Sequence, residues 1–156
     1  MFIADEQAME ALGNRIGKLL QSGDILYLCG TLGAGKTTLT RGVLQGMGYA
    51  GRVTSPTFTL MNIYPASPPV FHFDFYRLES NELYELGLDD YLGQEGVSIV
   101  EWAEIGADLL PPEALWVYIL LKDEDYDLGR VVSFEARSPA AHLLMERLQE
   151  YVDPGY

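Results

Sequence analysis

The sequence predicts an α/β fold, because short apolar runs alternate with amphipathic helical patterns. Residues 25–29 are typical of a buried strand, and a glycine-rich turn and a helical pattern over about residues 37–47 follow it directly. Two more apolar runs, residues 70–76 and 97–102, indicate further short strands. Each of these two runs carries an acidic side chain near its end.

The remaining elements are predicted at the two ends of the chain. Residues 5–20 place apolar side chains at three- and four-residue spacing, which indicates a helix with Asp5 as a candidate N-cap. Residues 114–121 and 130–136 indicate an antiparallel hairpin, whose acidic turn lacks the register of a calcium-binding loop. A final helix is expected over about residues 138–151, with serine at the cap and proline at the first position.

The glycine-rich turn carries the most specific pattern, because residues 30–37 read G-x-x-x-x-G-K-T between a predicted strand and a predicted helix. Glycines there let backbone N–H groups curl around phosphate oxygens, and the next helix directs its positive dipole end into the same space. Lys36 would reach the β- and γ-phosphates, and Thr37 would offer its hydroxyl to Mg²⁺. A surface glycine turn is the alternative, and the flanking strand and helix count against it. The sequence therefore predicts nucleotide binding.

Two acids follow apolar strands in the same chain as this loop. Asp74 lies near the end of one predicted strand and Glu101 near the end of the next. An acid in that place beside a phosphate loop typically holds Mg²⁺ or its waters, so one or both should face the metal and the attacking water. His72 is expected on the opposite side of its strand, as a structural residue.

The segments between the loop helix and the second acid are less specific. Residues 54–59 are rich in hydroxyl groups around a proline, which fits a switch-like element that senses the γ-phosphate or an ordinary turn. A strand is expected over about residues 58–64. Short helices with a solvated acidic face are expected over about residues 79–92.

Composition limits the classes of partner. The chain has 156 residues, which predicts one domain over residues 1–156, and a net charge of −13 without a basic cluster. Nucleic-acid binding needs a basic patch, so tight binding of RNA or DNA by the chain alone is not expected. The acidic surface would either meet a basic partner protein or only aid solubility, and the sequence leaves both open.

Composition also bears on the compartment. The single cysteine, Cys29, is expected to be a buried thiol in a strand, and one cysteine forms no internal disulfide. No apolar run reaches the length of a membrane span, and the N-terminal residues lack a signal-peptide pattern. These features predict a cytoplasmic protein that does not enter a membrane.

Six stretches, taken together, resemble a known family. They are GTLGAGKTT at 30–38, TRG at 40–42, TSPTFTL at 54–60, HFDFYRL at 72–78, LGLDDY at 86–91 and EWAE at 101–104. The phosphate loop alone would not identify a family. In this order and spacing, the stretches resemble the TsaE (YjeE) family, the P-loop ATPases of bacterial tRNA threonylcarbamoyladenosine biosynthesis.

The resemblance implies a three-layer P-loop NTPase-like fold with a small mixed sheet, parallel in the core and antiparallel at the edge. It implies weak, Mg²⁺-dependent ATP hydrolysis. It also implies an accessory role with the TsaB–TsaD transferase complex, which modifies adenosine 37 of tRNAs that read ANN codons. The transfer itself would belong to the complex.

The resemblance also implies site residues. The residues that would bind ATP are Leu32, Gly33, Ala34, Gly35, Lys36, Thr37 and Thr38. Thr37 and Glu101 would hold Mg²⁺, and Lys36, Asp74 and Glu101 would be catalytic, with the acid that positions water left open. Ser55 and Thr57 fall in the switch-like segment, and Trp102 belongs to the stretch around Glu101. The family usually has Asp where this chain has Thr31, which puts any role of that acid in doubt here.

Two other functions fit the same loop. A small-molecule kinase would need a substrate pocket and usually an arginine-bearing lid, and no arginine-rich lid is evident in the sequence. A nucleotide-gated binding module would use hydrolysis only incidentally.

Overall fold

The computed structural model describes residues 1–56, 60–78, 82, 85 and 87–152, with the backbone alone at residues 89 and 150–152. Its strands form one sheet in the order β1-β7-β6-β2-β5-β4-β3. They are β1 (Phe2–Ile3), β2 (Ile25–Cys29), β3 (Met61–Tyr64), β4 (Val70–Asp74), β5 (Val97–Glu101), β6 (Leu115–Leu121) and β7 (Arg130–Ala136).

The sheet is mixed, as predicted. β2 pairs in parallel with both β5 and β6, and β4 pairs in parallel with β5. β6–β7, β1–β7 and β3–β4 are antiparallel pairs that flank this parallel core. The parallel order brings the ends of β2, β4 and β5 to one edge of the sheet, where the phosphate loop begins.

Two apolar layers cover the two faces of the sheet. Three helices, α1 (Glu6–Gly17), α2 (Lys36–Gly46) and α3 (Pro139–Val152), pack on the face that carries Leu26 and Leu28 of β2. The other face carries Tyr27 and packs against short segments that include the 3-10 helices Leu88–Asp90 and Ala103–Leu109. The predicted three-layer α/β architecture is therefore confirmed. No helix in the described part of the chain has both the length and the apolarity needed to cross a bilayer.

Local chemistry explains where the elements begin and end. The Ala8 N–H donates to Oδ1 of Asp5 at 2.8 Å, which confirms the predicted N-cap of α1. Ser138 caps α3 in the same way, with its Oγ 3.1 Å from the Ala141 nitrogen. β4 ends at Asp74, two residues earlier than predicted, because the Tyr76 N–H turns back to Oδ1 of Asp74 at 2.9 Å.

Two predicted elements are described only in part. Of the strand expected over residues 58–64, the structure describes β3, and residues 57–59 lie outside the described residues. Of the helices expected over residues 79–92, it describes Leu88–Asp90, while residues 79–81, 83, 84 and 86 lie outside.

Candidate nucleotide and metal site

The glycine-rich loop has the backbone that its sequence predicts. Gly33 and Gly35 have φ values of 78° and 118°, in the left-handed region that favours glycine. A Cβ on Gly30 would lie 2.6 Å from the Ile119 carbonyl oxygen, so only glycine lets the loop leave β2 this close to β6. α2 begins at Lys36 without a side-chain hydrogen bond at its N-cap, which leaves its first N–H groups available to an anion.

Lys36 is the first residue of α2, directly after the glycine-rich loop, and it is almost fully buried. Its Nζ donates to the Gly30 carbonyl at 2.5 Å and the Thr31 carbonyl at 2.9 Å, and it lies 4.1 Å from the centroid of the Trp102 ring. Burial lowers the pKa of Lys36, and the nearby carboxylates of Glu101, Glu104 and Asp74 oppose that shift. The loop thus holds a desolvated cation beside the acids.

Glu101 joins the loop helix to the sheet. The Thr37 hydroxyl donates to Oε1 of Glu101 at 3.2 Å, and the other carboxylate oxygen, Oε2, contacts Nε2 of His72. The prediction that His72 faces the opposite side is wrong. Side chains two residues apart in a strand share a face, so His72 lies on the face of Asp74, which is in register with Glu101.

Asp74 lies on the same side and contacts the hydroxyl-rich segment. Ser55 donates from Oγ to Oδ2 of Asp74 at 2.7 Å, so a residue of the predicted switch-like segment reaches one of the two acids. Thr57, the other hydroxyl singled out in this segment, lies outside the described residues.

An open cleft of about 650 Å³ collects most of the predicted site residues. Its lining includes Leu32, Gly33, Gly35, Lys36, Thr37, Thr38, Ser55, Asp74, Glu101 and Trp102. Ala34 differs, because its side chain is packed in the core and only its backbone can serve the loop. Trp102 has a φ of 58°, a left-handed conformation unusual for a large side chain, and its ring lies 4.9 Å from that of Tyr76.

The donor set around Thr37 fits Mg²⁺. One hydroxyl and one carboxylate oxygen lie 3.2 Å apart, and oxygen atoms are the ligands that Mg²⁺ prefers. The described residues contain no cluster of three or more His, Cys, Asp and Glu side chains that could hold a metal by themselves. Mg²⁺ at phosphate sites typically takes one or two protein ligands and fills its shell with phosphate oxygens and waters. Thr37 and Glu101 can supply that share.

The β6–β7 hairpin contributes contacts that the sequence did not indicate. Tyr126 donates from its hydroxyl to the Leu32 carbonyl at 2.8 Å. Arg130 donates from Nε to the Ala34 carbonyl at 2.9 Å and from a terminal nitrogen to the Gly33 carbonyl at 3.2 Å. These contacts join residues more than 90 positions apart, so no local pattern could reveal them.

A second cavity of about 320 Å³ lies on the hairpin side of the loop. Its walls include Ile3 and Met9 from the N-terminal segment, Tyr126 and Arg130 from the hairpin, and Thr38 from α2. Gly33, Gly35 and Thr38 also line the larger cleft, so the two spaces share one wall of the loop.

Comparison with known sequences identifies related proteins. Residues 3–131 match the family model described as threonylcarbamoyl adenosine biosynthesis protein TsaE. A Haemophilus influenzae protein named tRNA threonylcarbamoyladenosine biosynthesis protein TsaE is 41% identical over 144 residues, which cover 88% of this chain and 89% of that protein. The Bacillus subtilis protein of the same name is 38% identical over 143 residues, which cover 91% and 88%.

A solved structure has a similar fold. The crystal structure of Bacillus subtilis YdiB superposes with a TM-score of 0.79 at 33% sequence identity, covering 94% of this chain and 90% of YdiB. The match of the family model over most of the chain and the identity to these relatives confirm the resemblance that the motifs indicated. The chain belongs to the TsaE family of threonylcarbamoyl adenosine biosynthesis proteins.

Proposed function

We propose that this chain is a Mg²⁺-dependent, weakly hydrolysing ATPase of the cytoplasm that serves tRNA threonylcarbamoyladenosine biosynthesis as an accessory subunit. The observation that carries the proposal is the contact between Thr37 and Glu101 at 3.2 Å, directly beside a glycine loop and a buried lysine. The names of the relatives support a role in tRNA threonylcarbamoyladenosine biosynthesis. The phosphate loop supports the binding of a nucleotide.

The loop would bind the phosphates of ATP. Backbone N–H groups of residues 32–38 would face phosphate oxygens, and Lys36 would exchange its carbonyl partners for the β- and γ-phosphates. Thr37 and Glu101 would hold Mg²⁺, which supplies neutralisation of the charge on the phosphates. The low exposure of Lys36 strengthens its attraction to an anion, because little water screens the pair.

Glu101 and Asp74 would have different roles in hydrolysis. Glu101 contacts the hydroxyl of Thr37, the other proposed Mg²⁺ ligand, which suits a metal ligand. Asp74 lies in the same cleft and is bonded to Ser55 and to the Tyr76 N–H, which suits a carboxylate that orients a water and accepts its proton. We therefore assign the positioning of the attacking water to Asp74. Through its hydrogen bond to Ser55, a change at Asp74 would also move the segment after α2.

The smaller cavity would take the nucleoside. It shares Gly33, Gly35 and Thr38 with the phosphate cleft, so a nucleotide could extend from one space into the other. Ile3 and Met9 give it apolar walls, and Tyr126 adds an aromatic ring, as is usual in sites for flat heterocycles.

The partner would be the TsaB–TsaD transferase complex. The net charge of −13 suits a subunit that contacts proteins rather than the tRNA backbone. The kinase alternative gains no support from the arginines in the hairpin. Arg130 is bonded to loop carbonyls, and Arg137 is paired with Glu135, so neither side chain is disposed as a lid over the cleft.

The test is ATP hydrolysis by the purified chain, measured alone and with the TsaB–TsaD pair, each with and without tRNA. Slow hydrolysis alone that rises with the pair supports the accessory ATPase. Absence of any response to the pair, together with phosphate transfer to a small metabolite, would overturn the proposal in favour of a kinase.

A further inference from the structure

His72 is a fully buried polar side chain that lies behind Glu101, one of the residues that line the cleft. Its exposed fraction is 0%, and its Nε2 contacts Oε2 of Glu101. The other ring nitrogen, Nδ1, has no hydrogen-bond partner among the residues that the structure describes. Among the described residues, the hydrogen bond to Glu101 is therefore the one polar contact of this imidazole ring.

The direction of that hydrogen bond follows from the chemistry of the two groups. An ionised carboxylate only accepts hydrogen bonds, so with this acceptor the Nε2–H group of His72 is the donor of the hydrogen bond to Oε2. Glu101 then has one oxygen bonded to His72 and the other to Thr37. With both oxygens engaged, rotation of the carboxylate plane about its last bond would weaken both contacts. The pair of contacts therefore fixes the orientation of that plane, with one oxygen facing Thr37 of α2.

We propose that His72 is a positioning residue that holds Glu101 in the orientation needed to bind a divalent cation together with Thr37. This inference rests on the proposed function, in which these two residues hold Mg²⁺. Partners behind a metal-binding side chain typically change metal affinity by about 10- to 100-fold when they are removed. In this role His72 acts through Glu101 and is not itself a ligand of the cation.

The alternative is that His72 only fills space in the core. Its ring centroid lies 6.1 Å from that of Tyr64, so the ring also packs against an aromatic neighbour. A packing role predicts that substitutions lower the thermal stability. The folded part of each variant would then bind the metal with the affinity of the wild type. A positioning role predicts that metal affinity depends on whether a donor reaches Oε2.

Two carboxamide variants separate these roles. In His72→Gln the amide nitrogen can occupy the place of Nε2, whereas in His72→Asn the shorter side chain puts its amide near the place of Nδ1. His72→Leu removes the donor altogether. For each folded variant, the affinity for Mn²⁺ is measured by electron paramagnetic resonance with a saturating β,γ-imido analogue of ATP. Nucleotide affinity is measured separately in EDTA, and thermal melting reports folding.

We expect His72→Gln to bind Mn²⁺ within about threefold of the wild type, and His72→Asn and His72→Leu to bind it about 10-fold or more weakly. Nucleotide affinity in EDTA should change little, because His72 does not contact the loop. Equal Mn²⁺ affinity in wild type, His72→Asn and His72→Leu would overturn the inference, as would a folded His72→Gln that loses it. If His72→Leu does not fold, the comparison of His72→Asn with His72→Gln decides, and equal Mn²⁺ affinity in these two variants overturns the inference.

The same measurements distinguish failure of the inference from failure of the proposed function. A wild-type chain that binds neither the analogue nor Mn²⁺ would overturn the proposed function and the inference with it. A wild-type chain that binds both, with variants that match it, would overturn the inference alone.

Discussion

The two acids at the ends of β4 and β5 differ in their neighbours, and that difference can be tested at single atoms. Asp74→Asn keeps an oxygen for the Ser55 hydroxyl but removes the charge that would accept a proton from water. We expect Mg²⁺-dependent ATP binding to persist and hydrolysis to fall by about 10²- to 10⁴-fold. Single-turnover hydrolysis and equilibrium binding of a fluorescent ATP analogue measure the two effects.

Glu101→Gln is the matched variant, because it removes the charge from the other acid. It should raise the Mg²⁺ concentration needed for half-maximal hydrolysis, since Oε1 faces Thr37. The reverse outcome, in which Asp74→Asn shifts the Mg²⁺ requirement and Glu101→Gln does not, would exchange the two roles. If Asp74→Asn abolishes hydrolysis and still supports tRNA modification with the TsaB–TsaD pair, the protein works as a nucleotide-gated switch.

Tyr126 tests the hairpin at the same scale. Tyr126→Phe removes only the hydroxyl that donates to the Leu32 carbonyl, and the side chain is more than half exposed. Losing one such bond costs about 1 kcal/mol of the free energy of unfolding, so we expect the melting temperature to fall by about 2–4 °C. Nucleotide affinity should fall by up to about fivefold, because binding then has to order the loop that this bond holds in the free protein. Tyr118→Phe is the control, because its hydroxyl bonds Glu135 rather than the loop. Equal effects of the two variants would contradict a specific role for Tyr126.

At the scale of elements, α1 and α2 approach each other most tightly where glycines face the opposite backbone. A Cβ added to Gly42 would lie 2.1 Å from the Glu10 carbonyl oxygen, and one added to Gly13 would lie 2.3 Å from the Leu39 carbonyl oxygen. Both distances are shorter than any real contact of a Cβ. The two backbones therefore approach as closely as they do only because both positions are glycine.

Gly42→Ala should consequently destabilise the protein, by about 1–3 kcal/mol or more in the free energy of unfolding, measured by urea denaturation. Helix propensity alone predicts the opposite sign, because alanine stabilises a helix by about 1 kcal/mol relative to glycine. Gln7→Ala, on the exposed side of α1, is the control and should change stability little. An unchanged or raised stability in Gly42→Ala would contradict the close packing.

The same scale explains what the sequence could predict. The phosphate loop and α2 were predictable, because strand, glycines and helix lie in one continuous stretch. β1 was not, because two residues carry no pattern, and it exists through antiparallel pairing with β7, in which Ile3 lies opposite Arg130. The side of His72 was predictable in principle, since the alternation of a strand places it with Asp74. The contacts of Tyr126 and Arg130 were not, because only the folded hairpin brings them to the loop.

For the whole molecule, the open question from the sequence was whether the charge of −13 serves a partner or only solubility. If the acidic surface meets basic groups of the TsaB–TsaD pair, electrostatic steering should speed association at low salt. We expect the association rate, measured by stopped-flow fluorescence, to fall about 10-fold or more between 50 mM and 500 mM salt, with a smaller change in the dissociation rate. Retention of the chain alone on tRNA should be negligible at physiological salt, because it lacks a basic patch. An association rate that does not depend on salt would indicate that the negative charge only aids solubility. Salt-sensitive binding of tRNA by the chain alone would contradict the hypothesis that the acidic surface meets a protein partner.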